Sequence, residues 1–127
     1  MMFVDANVFM YAVGRPHPLR EEARRFFLDH APDTLVTSAE VLQELLHAYL
    51  PVNRYDALDA ALQLATERTA AIWAIEAADV LLARTLVQGY PALKARDLLH
   101  VACCIRRSVT RIETYDRPLG AAFGRES

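Results

Sequence analysis

Met1-Met2-Phe3-Val4-Asp5-Ala6-Asn7-Val8 opens the chain with a short apolar run that stops at an acid. Phe3-Val4 reads as a buried strand, and Asp5 ends it. The run Ala6 to Val13 that follows reads as a short helix, stopped by Gly14, Pro16 and Pro18. Strand, acid and helix in immediate succession are the mark of an open α/β sheet. In such sheets the ligand crevice lies at the carboxyl ends of the strands, so an acid placed there points into it.

The rest of the chain repeats this alternation. Leu19, Ala23, Phe26 and Phe27 recur at helical spacing and predict an amphipathic helix over 19–31. Leu35-Val36-Thr37 is a second strand. The helix after it turns Val41, Leu42, Leu45, Leu46 and Tyr49 inward and ends at Pro51. A helix over 54–68 buries Leu58, Ala61, Leu62 and Ala65. Ala70 to Ile75 is a third strand, 77–88 a helix up to Gly89, 96–107 another helix, and Arg111–Thr114 a fourth strand. The tail 117–127 is expected to form a short turn or helix and a frayed end. Strands alternating with helices give an α/β domain, with a parallel sheet of about four strands and helices on both faces. No internal repeat or linker divides residues 1–127, so one domain is expected. The four glycines form no phosphate-binding loop, which disfavours a P-loop or a nucleotide-binding Rossmann domain.

With 54% apolar residues the chain can bury a core. No apolar run approaches a membrane span. The start has neither a basic n-region nor a cleavage pattern, so the protein is expected in the cytoplasm, with no membrane association. Cys103 and Cys104 are neighbours on a predicted helix and point apart. They are read as small buried hydrophobes in a reducing compartment. The net charge of −2 counts mildly against a general nucleic-acid binder. However, Lys94 is the only lysine, and arginine forks grip phosphate bidentately. Acids committed to metal ions would leave the remaining surface net positive.

Asp5, Glu44, Asp97 and Asp116 each fall at a strand end or on a helix that follows a strand. Each has an ordinary explanation. Asp5 can cap the short helix after it. Glu44 can be a solvated edge residue, although Leu42, Leu45 and Leu46 flank it and an unpaired carboxylate beside apolar surface is unfavourable. Asp97 can complement a helix dipole, the role assigned to Glu76 and Asp79. Asp116 can be a turn residue. Together they say more. Two carboxylates about 4 Å apart repel by roughly 4 kcal/mol at an effective dielectric near 20. A converging quartet therefore calls for a cation, and hard oxygen ligands suit one or two Mg²⁺ or Mn²⁺ ions. Asn7 can hold a carboxylate in place, and Thr114 offers a hydroxyl to the same site. Glu40 shares a helical face with Glu44. Thr37-x-x-Glu40 fits a capping box, which makes Glu40 a cap or an outer neighbour of the site. His47 and His100 are read as partly buried, hydrogen-bonded histidines, and His17 and His30 as surface residues.

These segments resemble the PIN-domain ribonucleases, and among them the VapC-type toxins of prokaryotic toxin–antitoxin pairs. Val4-Asp5-Ala6-Asn7-Val8 looks like the family's opening strand with its Asp-x-Asn. Ser38 to Leu45 looks like the segment carrying the second acid, aligned with Glu44. Ala95 to Ala102 looks like the segment of the third acid, Asp97, and Thr114-Tyr115-Asp116-Arg117 like the closing Thr/Ser-x-Asp. The match departs in having a short tail and no aromatic after Arg117. The resemblance implies that Asp5, Glu44, Asp97 and Asp116 hold Mg²⁺ or Mn²⁺, and that a water activated there attacks the phosphorus of an RNA phosphodiester in line. It implies products with 5′-phosphate and 3′-hydroxyl ends, a homodimer, and an antitoxin partner whose arginine can displace metal. Arg15, Arg96 and Arg117 are candidates to grip flanking phosphates.

The rival from another class is a non-catalytic PIN-like module that binds RNA or protein. A haloacid-type phosphatase needs Asp-x-Asp at the first strand, and position 7 is Asn. A phosphate-transfer receiver needs an acidic pair and a late lysine, and Lys94 is isolated in a predicted loop.

Overall fold

In a computed structural model, which describes residues 1–125, four short strands form one parallel sheet. The order along the chain is β1 (Met2–Val4), α1 (Ala6–Val13), α2 (Pro18–Asp29), β2 (Leu35–Ser38), α3 (Ala39–Tyr49), α4 (Tyr55–Glu67), β3 (Ala71–Trp73), α5 (Ala77–Thr85), α6 (Ala95–Arg106), β4 (Ile112–Glu113) and α7 (Arg117–Ala122), with 3-10 turns at Pro32–Thr34 and Leu50–Val52. Across the sheet the order is β3-β2-β1-β4. Phe3 pairs with both Val36 and Ile112, which puts β1 in the middle. Every residue of β1 and β2 is buried, as expected of central parallel strands covered on both faces. Phe3, Val4, Val8, Phe9, Leu35, Val41, Leu45 and Leu119 are at the centre of the core, all fully enclosed.

The expected elements are present with shifted ends. The third and fourth strands are shorter than the apolar runs that announce them. The helix expected over 77–88 stops at Thr85, where Leu86 N–H turns back to the Ala83 carbonyl and Gly89 N–H to that of Leu86. Leu46 does not face inward: it is 40% exposed, because Val41, Leu45 and Tyr49 define the buried stripe of α3 and Leu46 falls off it. The tail forms α7, and residues 126–127 lie outside the described part.

The capping box at Thr37-x-x-Glu40 is also corrected. Thr37 is still in the strand, and its hydroxyl donates to the Val4 carbonyl (2.9 Å). The cap is Ser38, whose Oγ accepts Val41 N–H (3.3 Å). That one-residue shift puts Glu40 a position too early for a reciprocal bond. A reciprocal box does occur at Glu76 and Asp79 on α5. Asp79 does more than complement the dipole. Its carboxylate is completely buried and accepts from Arg106 Nη1 (2.7 Å) and Arg107 Nη1 (2.8 Å), and the Arg107 guanidinium lies 5.0 Å over the Trp73 ring. This cluster fastens α5, α6 and β3 together. Cys103 and Cys104 are buried and free.

Candidate active site

The carboxyl ends of β1 and β4, the middle of α3 and the first turn of α6 converge on one cleft. Asp5 leaves β1 and caps α1, with Ala6 N–H donating to its Oδ1 (2.8 Å). Its Oδ2 accepts the Thr114 hydroxyl (2.7 Å). Thr114, just beyond β4, is a hub: its Oγ1 also accepts from Asn7 Nδ2 (3.3 Å) and from Asp116 N–H (3.0 Å). Asn7 Oδ1 in turn accepts Tyr115 N–H (3.2 Å). Asp116 caps α7 through its Oδ1, which accepts Leu119 N–H (3.1 Å). The capping roles and the clustering thus coexist, because a carboxylate has several acceptor positions and a cap occupies one of them.

From the other side come α3 and α6. Glu44 directs its Oε1 to His100 Nε2 at 3.0 Å, and the same Nε2 is 3.6 Å from Asp5 Oδ1. A carboxylate only accepts, so Nε2 carries the proton. Asp97 lies one turn before His100 on the same face of α6. Asp5, Glu44, Asp97 and Asp116 line a cleft of about 260 Å³ together with Asn7, Met10, His47 and Arg96.

The acids are held at an electrostatic disadvantage. Burial, followed by the charges of Asp116 and Asp5, pushes the Asp97 carboxyl up to about 6. Burial also raises Asp5, against the opposing pull of His100 and the Thr114 hydroxyl. Glu40, half-buried at the edge, is raised by burial and then by Glu44. Burial alone would lower the His100 imidazole, but its hydrogen bond to Glu44 and the charges of Asp5, Glu44 and Asp97 outweigh that and raise it. Oxygen donors crowded into one cleft with raised carboxyls match a hard divalent cation, which would relieve their repulsion. Asp5, Glu44 and His100 each place a ligand-type atom within 4.8 Å of the others.

Among the arginines singled out in the sequence, Arg96 lines the cleft. Arg117 is exposed at the start of α7, directly after Asp116. Arg15 lies beyond the far end of α1 from Asp5, about 12 Å along the axis at 1.5 Å per residue, and does not line the cleft. His100 is the residue the sequence underweighted. Its three-residue spacing from Asp97 was the available signal, since it puts both on one helix face.

A family model described as "PIN domain" matches residues 2–122. The chain belongs to the PIN-domain family. This PIN domain is 61% identical over 126 residues to Ribonuclease VapC23 of Mycobacterium tuberculosis, covering 97% of this chain and 98% of that protein. It is 38% identical over 120 residues to VapC ribonuclease Mb1869c of Mycobacterium bovis, covering 92% and 91%. In three dimensions it matches the crystal structure of Mycobacterium tuberculosis VapC20, described as a sarcin-ricin loop cleaving toxin, with a TM-score of 0.82 over 96% and 95% of the two chains. At 16% identity that likeness speaks for the PIN fold alone. Among the described residues of this PIN domain, no helix is long and apolar enough to cross a membrane.

Proposed function

We propose that this PIN domain is a metal-dependent endoribonuclease and the toxin of a type II toxin–antitoxin pair. The observation that carries the reading is the convergence of Asp5, Glu44, Asp97 and Asp116 on one cleft, with Asp97 raised to about 6 by burial and then by the neighbouring acids. In this reading all four acids hold one or two Mg²⁺ or Mn²⁺ ions. Bound there, such an ion lowers the pKa of water and offsets charge on the phosphate oxygens. The chain's own residues do the rest. Thr114 and Asn7 fix Asp5 and the Asp116 backbone in place through their hydrogen bonds. Arg96 at the cleft, and Arg117 beside Asp116, supply guanidinium groups for phosphates flanking the scissile bond. RNA is the substrate that the names of the relatives support. The protein acts in the cytoplasm as a homodimer, and a cognate antitoxin restrains it by bringing an arginine to the acids.

The test is cleavage of end-labelled total RNA by purified protein with Mg²⁺ or Mn²⁺ and with EDTA, beside Asp5→Asn. Metal-dependent cutting that the variant lacks is expected. Full activity in a well-folded Asp5→Asn protein would overturn the assignment. Failure both to cut and to bind metal would favour a non-catalytic RNA- or protein-binding module.

A further inference from the structure

His100 has no exposed surface, yet its Nε2 faces two carboxylates from different elements: Glu44 on α3 at 3.0 Å and Asp5 at the end of β1 at 3.6 Å. A histidine buried only for packing would be expected to satisfy both ring nitrogens. Here Nδ1 is buried with no hydrogen-bond partner among the described residues. The ring's polar contacts are thus all directed at the site, and leaving Nδ1 unmet costs stability that the site contacts offset. The ring is held from behind by Phe3, 5.3 Å away between centroids, and Phe3 itself stacks on Trp73 at 5.6 Å. Asp97 is one turn back on the same helix, so the position of His100 is tied to that of a third acid.

We infer that His100 is a positioning residue for the metal-binding carboxylates. Its Nε2–H holds Glu44 Oε1 toward Asp5, fixing the separation of two ligands that come from β1 and α3, and it does so without itself ligating the ion. The inference rests on the metal-dependent reading of the site. Such hydrogen bonds from outside the ligand set orient ligands, and losing one typically weakens metal affinity about 10–100-fold. An Nε2 that donates its proton to Glu44 has no lone pair to offer a cation on that side.

The experiment measures Mn²⁺ affinity by calorimetry on the wild type, His100→Leu, His100→Gln and His100→Asn. Each is checked for folding by circular dichroism and thermal melting in EDTA. Gln carries an amide nitrogen near the place of Nε2, and Asn carries one near the place of Nδ1. Affinity is expected to fall about 10–100-fold in His100→Leu, to stay low in His100→Asn, and to recover most of the way in His100→Gln. Equal affinity in folded wild type and His100→Leu would overturn the inference alone, and so would equal losses in all three variants. A ¹⁴N hyperfine coupling to bound Mn²⁺ in the wild type, absent in His100→Gln, would also overturn it by putting the ring on the ion. A wild type that binds no Mn²⁺ would overturn both the inference and the metal-dependent reading beneath it.

Discussion

Asp97→Asn should stabilise the metal-free protein while removing its activity. The Asp97 carboxyl is raised from its ordinary 3.8 to about 6, first by burial and then by Asp116 and Asp5. At about 1.4 kcal/mol per pH unit, that rise sets an upper limit of roughly 3 kcal/mol on the penalty for ionising it. The group is only half-buried in an open cleft, so solvent screening reduces this to about 1 kcal/mol. For a domain of this size, about 1 kcal/mol corresponds to roughly 3–5 °C in Tm. The sign follows from linkage. The folded state holds this proton more tightly than the unfolded chain, so stability present below pH 3.8 is lost as pH rises through about 6. Melting curves in EDTA should therefore show the variant about 3–5 °C above wild type near pH 7.5, with the gap closing towards pH 4. Adding Mg²⁺ should raise the wild type and leave the variant nearly unchanged. A variant that melts below wild type in EDTA at pH 7.5, or a gap that persists unchanged to pH 4, would refute the reasoning.

Asp79→Asn should have the opposite effect on stability. Removing one partner from a buried ion cluster costs up to about 3–5 kcal/mol, but both arginines keep some contact with water, so about 2 kcal/mol is expected in urea denaturation, with RNA cleavage retained under folding conditions. Burial would raise Asp79, but the hydrogen bonds from Arg107, from Glu76 N–H and from Arg106 hold it below the ordinary carboxylate range. Its contribution is therefore present above pH 3.8 and lost as the pH falls further, a loss that Asp79→Asn should not show in acid titration. Thr114→Val removes the hydroxyl shared by Asp5, Asn7 and Asp116 N–H, and should weaken Mn²⁺ binding in calorimetry by about tenfold. Arg96→Ala should weaken RNA binding and flatten its salt dependence, measured by fluorescence anisotropy with the Asp5→Asn background preventing cleavage.

The parallel sheet could be read from the sequence because Phe3-Val4, Leu35-Val36 and the run near 71 are apolar and short, and these and the segment around Ile112 are separated by helical periodicity. Strand order could not be read, because nothing local says that β1 pairs with β4 rather than lying at an edge. The helix start slipped where two polar residues compete for one role: Thr37 and Ser38 are both good caps, and the Thr37 hydroxyl is committed to the Val4 carbonyl, which leaves Ser38 as the cap. Asp5 and Asp116 could be read as positions just after strands, whereas Asp97, at the start of a helix that follows α5 rather than a strand, and Glu44, inside α3, join them through the fold. The contacts of His100 with Glu44 and Asp5 could not be read, because they join residues far apart in the chain, and its spacing from Asp97 shows only a shared helix face. Arg15 does not line the cleft, because α1 carries the chain away from Asp5 before Arg15 is reached.

Asp79 and Asp97 show what separates an acid whose charge the fold balances from one whose charge it does not. Each is the third residue of its helix, α5 and α6, and each fits the same dipole argument. The dipole argument alone treats them alike. Their surroundings do not. Asp79 meets two arginines from the far end of α6 and is held below the ordinary range, so its charge is already balanced within the fold. Asp97 faces Asp5, Glu44 and Asp116, and burial followed by these charges pushes it up to about 6. The first arrangement stabilises the protein as it stands, and a cation would add nothing to it. The second is relieved in one of two ways: a proton, which silences the carboxylate, or a divalent ion, which uses it. For a group near 6 the proton is only partly held at neutral pH, and under the proposed metal-dependent reading the ion is the partner that takes its place.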